Sequence, residues 1–339
     1  MTSGLVVMLL GSAAGLSWLL TGRMLDYGRQ RLMDLPNDRS SHEQPTPRGG
    51  GLAIVIAFSL SLIALFAAGL LPWPLLMALS ALVPLAAIGF IDDHGHVSAR
   101  WRFLLQALAA GWVLYWLGSI ESLQVNGVTL SLGPLAWLLL GLFIVWMLNL
   151  FNFMDGIDGI AAGETLSIGL LAALLLVPGA DGDLPATALV ALALAAATGG
   201  FLLWNWPPAR IFMGDVGSGV LGFVLAVLAL WSANQQELSL VVWLILAGVF
   251  LVDATLTLLI RLFRGERWYE AHRTHAFQHA SRRWGSHRAV TLSVLAINVG
   301  WLLPMAWLAA THPRWELAVL ALALLPLTLL AFRLGAGRP

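Results

Sequence analysis

The sequence has no cysteine and no lysine, and only 11% of its 339 residues are charged. The lack of cysteine excludes disulfides, thiolate metal sites, iron–sulfur clusters and a cysteine nucleophile, and it leaves the redox compartment open. Soluble domains carry charge on about a quarter of their residues, whereas this chain is 59% hydrophobic with a mean hydropathy of +0.83. The composition therefore indicates an integral membrane protein whose chemistry depends on oxygen and nitrogen groups.

Long apolar runs fill most of the chain, and a membrane-spanning helix needs about 20 mostly apolar residues. Eleven runs meet that length, near residues 4–22, 50–70, 72–91, 102–118, 134–151, 159–177, 185–204, 216–233, 238–262, 289–310 and 315–333. No internal repeat and no low-complexity tract divides them. The sequence therefore predicts an all-α fold, a polytopic membrane helix bundle of about 11 transmembrane helices that forms one domain over residues 1–339.

The arginines predict how this bundle is oriented. No basic residue precedes the first apolar run, which argues against a cleaved signal peptide, and five arginines follow it between residues 23 and 48. With alternate loops in the cytoplasm, only Arg314 falls outside, in agreement with the positive-inside rule. We therefore expect the N-terminus outside and the C-terminus in the cytoplasm. The outer segment 121–133 alternates polar and apolar residues around an Asn-Gly pair, which predicts a short periplasmic β-hairpin.

Aspartates collect on the predicted cytoplasmic face. Asp92 and Asp93 end the third run, Asp155 and Asp158 follow the fifth, and Asp215 follows the seventh. One such aspartate alone is usually a solvated helix cap, but five carboxylates from three loops at one face indicate a site. Oxygen ligands suit a hard cation, and Mg²⁺ usually takes one or two carboxylates together with substrate phosphates. We therefore expect a Mg²⁺ site, in which Mn²⁺ could substitute.

Glycine-rich segments lie beside these acids. They open predicted helices at residues 47–55, 154–163 and 213–222. Backbone amides at helix starts favour phosphate, and glycine lets the ligand approach them closely. Tight helix packing is the alternative interpretation, and it is preferred for Gly219 and Gly222.

The last predicted cytoplasmic loop, residues 261–288, is basic. It contains His272, Arg273 and His275, which could contact anionic oxygens. The positive-inside rule and anionic lipid headgroups explain its other arginines. A zinc site formed by His272, His275 and His279 is a less favoured alternative, because no general-base glutamate completes a His-Glu-x-x-His pattern.

Two further acids lie within apolar runs. Asp253 falls eight residues before Arg261, which places it roughly 12 Å inside the membrane if the segment is helical. It could be a proton relay, a polar group lining a groove, or a buried partner within the bundle. Glu164 is interpreted as a charge near the start of a helix.

Four ordered motifs give the sequence a family resemblance. They are "GFIDD" (89–93), "NLFNFMDGIDGIAAGE" (149–164), "NWPPARIFMGDVGSGVLG" (205–222) and "HRTHAFQ" (272–278). Together they resemble the polyprenyl-phosphate N-acetylhexosamine-1-phosphate transferases, which are of the glycosyltransferase family 4 type. The segment "PNDRSSHEQPTPRGGG" (36–51) looks most similar to the enzymes that initiate bacterial O-antigen and other surface polysaccharides.

The resemblance implies an enzyme of the bacterial inner (cytoplasmic) membrane. It would transfer an N-acetylhexosamine-1-phosphate from a UDP-sugar to undecaprenyl phosphate with Mg²⁺, release UMP and begin a lipid-linked glycan. The lipid bilayer and these two substrates are its expected partners. No nucleic-acid partner is expected, and the resemblance makes a homodimer plausible.

The resemblance also implies roles for the matched residues. Asp215 and Asn152 would bind Mg²⁺, and Asp92 and Asp93 would lie beside the metal and the acceptor phosphate. Asp92 would act there as base, nucleophile or positioning group, and His275 would join the catalytic set. The expected substrate contacts are Asp155, Asp158, Asn205 and Phe212 near the nucleotide, and His272, His275, Arg273, Arg48 and Arg102 near the phosphates.

Two departures separate the chain from the peptidoglycan branch of this family. That branch has lysines in the first loop and after the paired aspartates, where Arg48, Arg100 and Arg102 are the nearest substitutes here. Its triple-histidine element is reduced to His272 and His275. These departures weaken an assignment to lipid I synthesis, which is kept as an alternative. A secondary transporter or lipid flippase is another, less favoured because transporters place binding groups near the bilayer midplane.

Overall fold

The computed structural model describes residues 3–36, 44–118, 122–131, 133–177, 183–266 and 272–338. These ranges are mostly helical, as the composition predicts. Their α-helices are α1 (Ser3–Arg31), α2 (Gly51–Ala67), α3 (Trp73–Ser80), α4 (Leu82–His94), α5 (Ala99–Leu117), α6 (Leu135–Met154), α7 (Ile160–Leu175), α8 (Ala186–Asn205), α9 (Asp215–Asn234), α10 (Leu240–Leu246), α11 (Gly248–Phe263), α12 (Ala276–Trp284), α13 (His287–Ile297), α14 (Leu303–Thr311) and α15 (Glu316–Leu334).

Seven helical segments of the described residues are long and apolar enough to cross a membrane. They are α1, the pair α3 and α4, α6, α8, α9, the pair α13 and α14, and α15. The pair α10 and α11 would make an eighth span, although its two helices are bent by 81°. The remaining predicted runs form α5 and the shorter apolar helices α2 and α7. The count of eleven spans and their orientation stay predictions.

Helix α9 forms the centre of the bundle, because 94% of its spanning segment is buried. Helices α2, α4, α6 and α8 pack around it. Small residues allow this close approach. A Cβ on Gly222 would lie 2.1 Å from the backbone oxygen of Met147 on α6. A Cβ on Gly51 of α2 would lie 2.4 Å from the Cα of Gly217. The backbones of α2, α6 and α9 are therefore in direct contact.

Two short strand pairs connect the helices. Strand β1 (Met33–Asp34) pairs antiparallel with β2 (Thr46–Pro47), and β3 (Ser122–Val125) pairs antiparallel with β4 (Val128–Ser131). The turn of the second pair is Asn126-Gly127, with φ of 54° and 71°, as a two-residue hairpin loop requires. The side of the membrane on which this hairpin lies stays a prediction.

Two helices meet at a fully buried carboxylate. A π-helical turn, Asn298–Leu302, separates α13 from α14. The side-chain amide of Asn298 donates hydrogen bonds to Oε2 of Glu164 at 2.6 Å and to Oγ of Ser167 at 2.7 Å. Glu164 is 0% exposed, so it joins α7 to this turn and is not the helix-start charge that the sequence suggested.

Candidate active site

Asp215 is the first residue of the central helix α9. Its position is fixed by Asp93, near the end of α4, whose Oδ1 accepts the backbone N–H of Asp215 at 3.1 Å. Oδ2 of Asp93 accepts the N–H of Val216 at 3.2 Å. Asp93 is 3% exposed, and a negative charge is favourable at a helix N-terminus. Both oxygens of Asp93 are thus used to hold the start of α9.

The carboxylate of Asp215 is 37% exposed and is surrounded by polar groups. Its Oδ1 accepts a hydrogen bond from Nδ2 of Asn152 at 2.8 Å, and the same nitrogen donates to Oγ of Ser218 at 2.9 Å. No described residue donates to Oδ1 of Asn152, which leaves that oxygen available as a ligand. Asn152 and Asp215 are therefore adjacent, as the metal-site prediction requires.

Arg102 of α5 joins the two acidic motifs. Its Nη1 lies 2.7 Å from Oδ2 of Asp92 and 3.4 Å from Oδ2 of Asp215. The other oxygen of Asp92 accepts the backbone N–H of Val97 at 2.7 Å. Asp92 is therefore a largely buried, paired carboxylate that orients Arg102 towards Asp215.

The first glycine-rich segment positions Arg48. Nη2 of Arg48 donates to the backbone oxygen of Asp93 at 2.5 Å, and its Nε lies 3.7 Å from Oδ1 of Asp93. The amide of Gly50 donates to the Phe212 carbonyl at 3.0 Å, and that of Gly51 to the Met213 carbonyl at 2.8 Å. These two amides are used within the fold. The phosphate interpretation is therefore wrong for Gly50 and Gly51, which serve helix packing.

Asp155 lies in the loop between α6 and α7 and faces other acids. Burial, together with the negative charges of Asp215, Asp93 and Asp158, raises the pKa of its carboxyl to about 7. No described residue forms an ion pair or a hydrogen bond with this carboxylate. Repulsion among four carboxylates would be relieved by a bound cation.

Asp158 and Asn205 connect loops around the site. Oδ2 of Asp158 accepts the N–H of Ala209 at 3.0 Å, and its Oδ1 lies 3.2 Å from Nδ1 of His287. Oδ1 of Asn205 accepts the N–H of Gly159 at 2.9 Å, while its Nδ2 donates to a backbone carbonyl. Asn205 is 3% exposed, so in this conformation both of its polar ends hold the loops together. The predicted contacts of Asp158, Asn205 and the half-buried Phe212 with a nucleotide stay predictions.

His275 begins the segment that leads into α12. It is 2% exposed, with its Nδ1 3.4 Å from Oδ1 of Asp253 and its ring stacked on His272 at 4.9 Å. Burial lowers the pKa of His272 to about 3, and the neighbouring His275 and Arg261 contribute. His272 is thus neutral at physiological pH and can offer a phosphate only a hydrogen bond. Arg273 is exposed, and the phosphate contacts of all three residues stay predictions.

Asp253 of α11 holds the start of α12. Its two oxygens accept the backbone N–H groups of Ala276 and Phe277 at 2.8 and 2.9 Å, and Thr257 donates to it at 3.1 Å. Among the three roles weighed from the sequence, the structure supports a buried partner within the bundle. Helix α12 in turn packs on the acidic loop, since a Cβ on Gly156 would lie 2.9 Å from the ring of Phe277.

Sequence patterns did not identify the contact partners of several predicted site residues. His287, Ser218 and Val97 contact Asp158, Asn152 and Asp92 respectively. His287 and Val97 lie outside the four motifs, and Ser218 lies within the third motif but had no predicted role. His287 directly follows Ser286, which caps α13 with its side chain. That capping serine could have indicated a helix start beside the site, but not the partner of its neighbour.

An apolar groove of about 590 Å³ ends at Asp215. Phe103, Leu142 and Trp146 line its apolar part, and Arg102 and Asn152 lie with Asp215 at its polar end. Within the described residues, no three histidine, aspartate or glutamate side chains form a complete metal-binding cluster. The arrangement therefore offers an apolar channel, one arginine and a partial set of oxygen ligands at a single point.

Comparison with known proteins agrees with this arrangement. The profile of glycosyl transferase family 4 matches residues 75–233. A probable undecaprenyl-phosphate N-acetylglucosaminyl 1-phosphate transferase of Bacillus subtilis (strain 168) is 31% identical over 272 residues, which cover 78% of this chain and 74% of the relative.

Two further relatives bear different names. A decaprenyl-phosphate N-acetylglucosaminephosphotransferase of Mycobacterium leprae is 30% identical, with 84% of this chain and 78% of the relative covered. A phospho-N-acetylmuramoyl-pentapeptide-transferase of Synechococcus sp. is 37% identical, with 69% of each chain covered. The chain therefore belongs to glycosyl transferase family 4, the polyprenyl-phosphate hexosamine-1-phosphate transferases.

Proposed function

We propose that this protein transfers an N-acetylhexosamine-1-phosphate from a UDP-sugar to undecaprenyl phosphate, with Mg²⁺, and releases UMP. The reaction would begin a lipid-linked glycan, such as O-antigen or another cell-envelope polysaccharide, at the cytoplasmic face of a bacterial inner membrane. The observation that carries the proposal is the apolar groove that ends at Asp215, because it brings a lipid path and a group of carboxylates to one point.

The groove suits the acceptor lipid. Its apolar walls at Phe103 and Trp146 would cover a polyprenyl chain, because burial of each CH₂ group contributes about 0.8 kcal/mol. The acceptor phosphate would lie at the other end, near Arg102, whose guanidinium is suited to phosphate. Arg102 already lies between Asp92 and Asp215, so an anion there would be held next to the carboxylate site.

The carboxylate site suits Mg²⁺ together with a diphosphate. Asp215 offers a partly exposed carboxylate and Asn152 an unused amide oxygen, and the crowded charge of Asp155 favours a cation nearby. Mg²⁺ is commonly bound by one or two carboxylates plus substrate phosphates, so a complete protein cluster is not needed. The bound ion would neutralise the charge that develops on the transferred phosphoryl group.

The lipid phosphate itself is the proposed nucleophile. The second pKa of a phosphate monoester is about 6, so at neutral pH it is mostly a dianion and needs no base. One of its oxygens bonds to the sugar-linked phosphorus, and the bond from that phosphorus to the oxygen of UMP breaks. Asp92 acts as a positioning residue, since both of its oxygens already bind Arg102 and Val97.

The test is UMP release by the purified full-length protein with undecaprenyl phosphate, Mg²⁺ and a panel of UDP-N-acetylhexosamines. UDP-GlcNAc is the first donor to test, because two relatives bear N-acetylglucosaminyl names. Activity that is abolished by Asp215→Ala supports the proposal. No release with any sugar of the panel contradicts it, and activity only with UDP-N-acetylmuramoyl-pentapeptide would assign the protein to lipid I synthesis instead.

A further inference from the structure

A second cavity, of about 750 Å³, lies between the C-terminal part of α1 and the end of α8. The described residues that line it come from α1, from Met33 of β1, from the segment 44–47 and from the end of α8 with the loop that follows. None of them lines the groove that ends at Asp215. Neither the motifs nor the proposed reaction assigns a role to this cavity.

The cavity carries an excess of positive charge. Arg23, Arg29 and Arg210 line it, while Asp26 is its one acid among the described residues. Arg29 lies 3.8 Å from Asp26, and both side chains are well exposed. No described carboxylate pairs with Arg23 or Arg210. Two exposed guanidinium groups therefore remain available to an anion.

One wall of the cavity is aromatic. Nε1 of Trp204 donates to the backbone oxygen of Trp18 at 3.0 Å, and the two rings lie 5.9 Å apart. The guanidinium carbon of Arg210 lies 5.7 Å from the centre of the Trp204 ring. Gly22 allows this packing, because a Cβ there would lie 3.3 Å from the Trp204 ring. A rigid apolar wall thus lies directly beside the arginines.

The same wall continues onto the lipid-facing surface of α1. Trp18 is 43% exposed and Leu19 is 59% exposed. Only 17% of the spanning segment of α1 is buried, which leaves most of its surface open to acyl chains. Tryptophan is enriched at the membrane–water interface, which favours a position of the cavity where headgroups meet hydrocarbon.

We propose that this cavity binds the phosphate headgroup of an anionic membrane phospholipid, with the acyl chains along α1. Arginine pockets between membrane helices on the cytoplasmic side suit such headgroups. A soluble ligand that carries a phosphate would share this chemistry with the lipid, because in both cases the phosphate would contact Arg23 and Arg210. A soluble phosphate or nucleotide would leave the exposed apolar surface of Trp18 and Leu19 unused, and this favours a lipid.

The test is titration of the detergent-purified full-length protein with dioleoylphosphatidylglycerol, followed by native mass spectrometry. Each arginine near an anionic lipid is worth a factor of about five in affinity, so Arg23→Gln with Arg210→Gln should weaken binding about thirtyfold. Arg100→Gln with Arg333→Gln removes the same charge from exposed positions outside the cavity and should change binding by less than about twofold. Arg210→Lys keeps the charge and should retain binding. Dioleoylphosphatidylcholine should bind weakly.

Four results would overturn the proposal. They are equal affinity of the two double variants, equal binding of phosphatidylcholine, displacement of phosphatidylglycerol by inorganic phosphate or UDP, and displacement by an equal concentration of undecaprenyl phosphate. The last two would assign the cavity to a soluble phosphate or to the acceptor. Because lipid binding is measured directly, loss of transferase activity in any variant does not affect the outcome.

Discussion

Replacing Asp93 by asparagine tests whether a buried carboxylate on α4 positions Asp215. Each oxygen of Asp93 accepts one backbone N–H at the start of α9. Asparagine keeps one acceptor and turns an NH₂ group towards the other N–H, so one charge-assisted bond is lost and a buried donor is left unpaired. The combined cost is about 2–4 kcal/mol of unfolding free energy. Because a displacement of about 1 Å can cost roughly a hundredfold in rate, we expect at least that loss of UMP release.

Asp253→Asn is the matched control, because Asp253 accepts two backbone N–H groups at the start of α12 in the same way. Thermal unfolding in detergent should show a similar destabilisation in both variants, whereas UMP release at saturating Mg²⁺ should fall much further in Asp93→Asn. Asp253→Asn should also be milder than Asp215→Asn. Equal loss of activity in the Asp93 and Asp253 variants, or wild-type activity in Asp93→Asn, would refute the positioning role.

Three further predictions concern Asn152, Asp155 and Gly222. Asn152→Ala should lower the rate of UMP release by about 10–100-fold and raise the Mg²⁺ concentration needed, because it removes a proposed ligand and a hydrogen bond to Asp215; an unchanged Mg²⁺ requirement would contradict the metal role. The folded pKa of Asp155 is about 7, so its ionisation should make the metal-free protein less stable as pH rises from about 4 to 7. Compared with the wild type, Asp155→Asn should therefore unfold with a free energy about 1–2 kcal/mol higher at pH 8, after solvent screening, and with an equal free energy at pH 3. Gly222→Ala should lower the free energy of unfolding by about 2–3 kcal/mol, as measured by thermal unfolding, because its Cβ would meet a backbone oxygen. The control is Gly199→Ala, whose Cβ would meet only Leu166 at 3.7 Å, and it should be neutral or slightly stabilising.

The residues of the candidate site were largely predictable, because their motifs lie at the ends of apolar runs. Asp92, Asn152 and Asp215 come from three separate runs and are joined in the structure through Arg102 and direct hydrogen bonds. Their proximity follows from topology, since helix ends on one side of a membrane share one layer. The chemical roles of these residues stay predictions.

The contacts that the acidic and glycine residues of the motifs make within the fold could not be predicted. Asp93 and Asp253 each cap a helix other than their own, and such contacts depend on how helices pack rather than on local sequence. The hydrogen bonds of the Gly50 and Gly51 amides also depend on helix packing, because their carbonyl partners lie more than 150 residues away in sequence. The number of membrane-spanning helices could not be predicted exactly either, because length and hydropathy do not reveal the 81° bend between α10 and α11.

The contact between Gly51 and Gly217 has a consequence for how the enzyme could move. Helices α2 and α9 meet backbone to backbone at this point, two residues after the start of α9. There is no side chain between them to change rotamer, so neither helix can slide without separating. Asp215 and the segment after Arg48 therefore behave as one rigid frame. Closure around the proposed nucleotide sugar would then have to come from parts that lack such contacts, and the proposed metal site would keep its shape during the reaction.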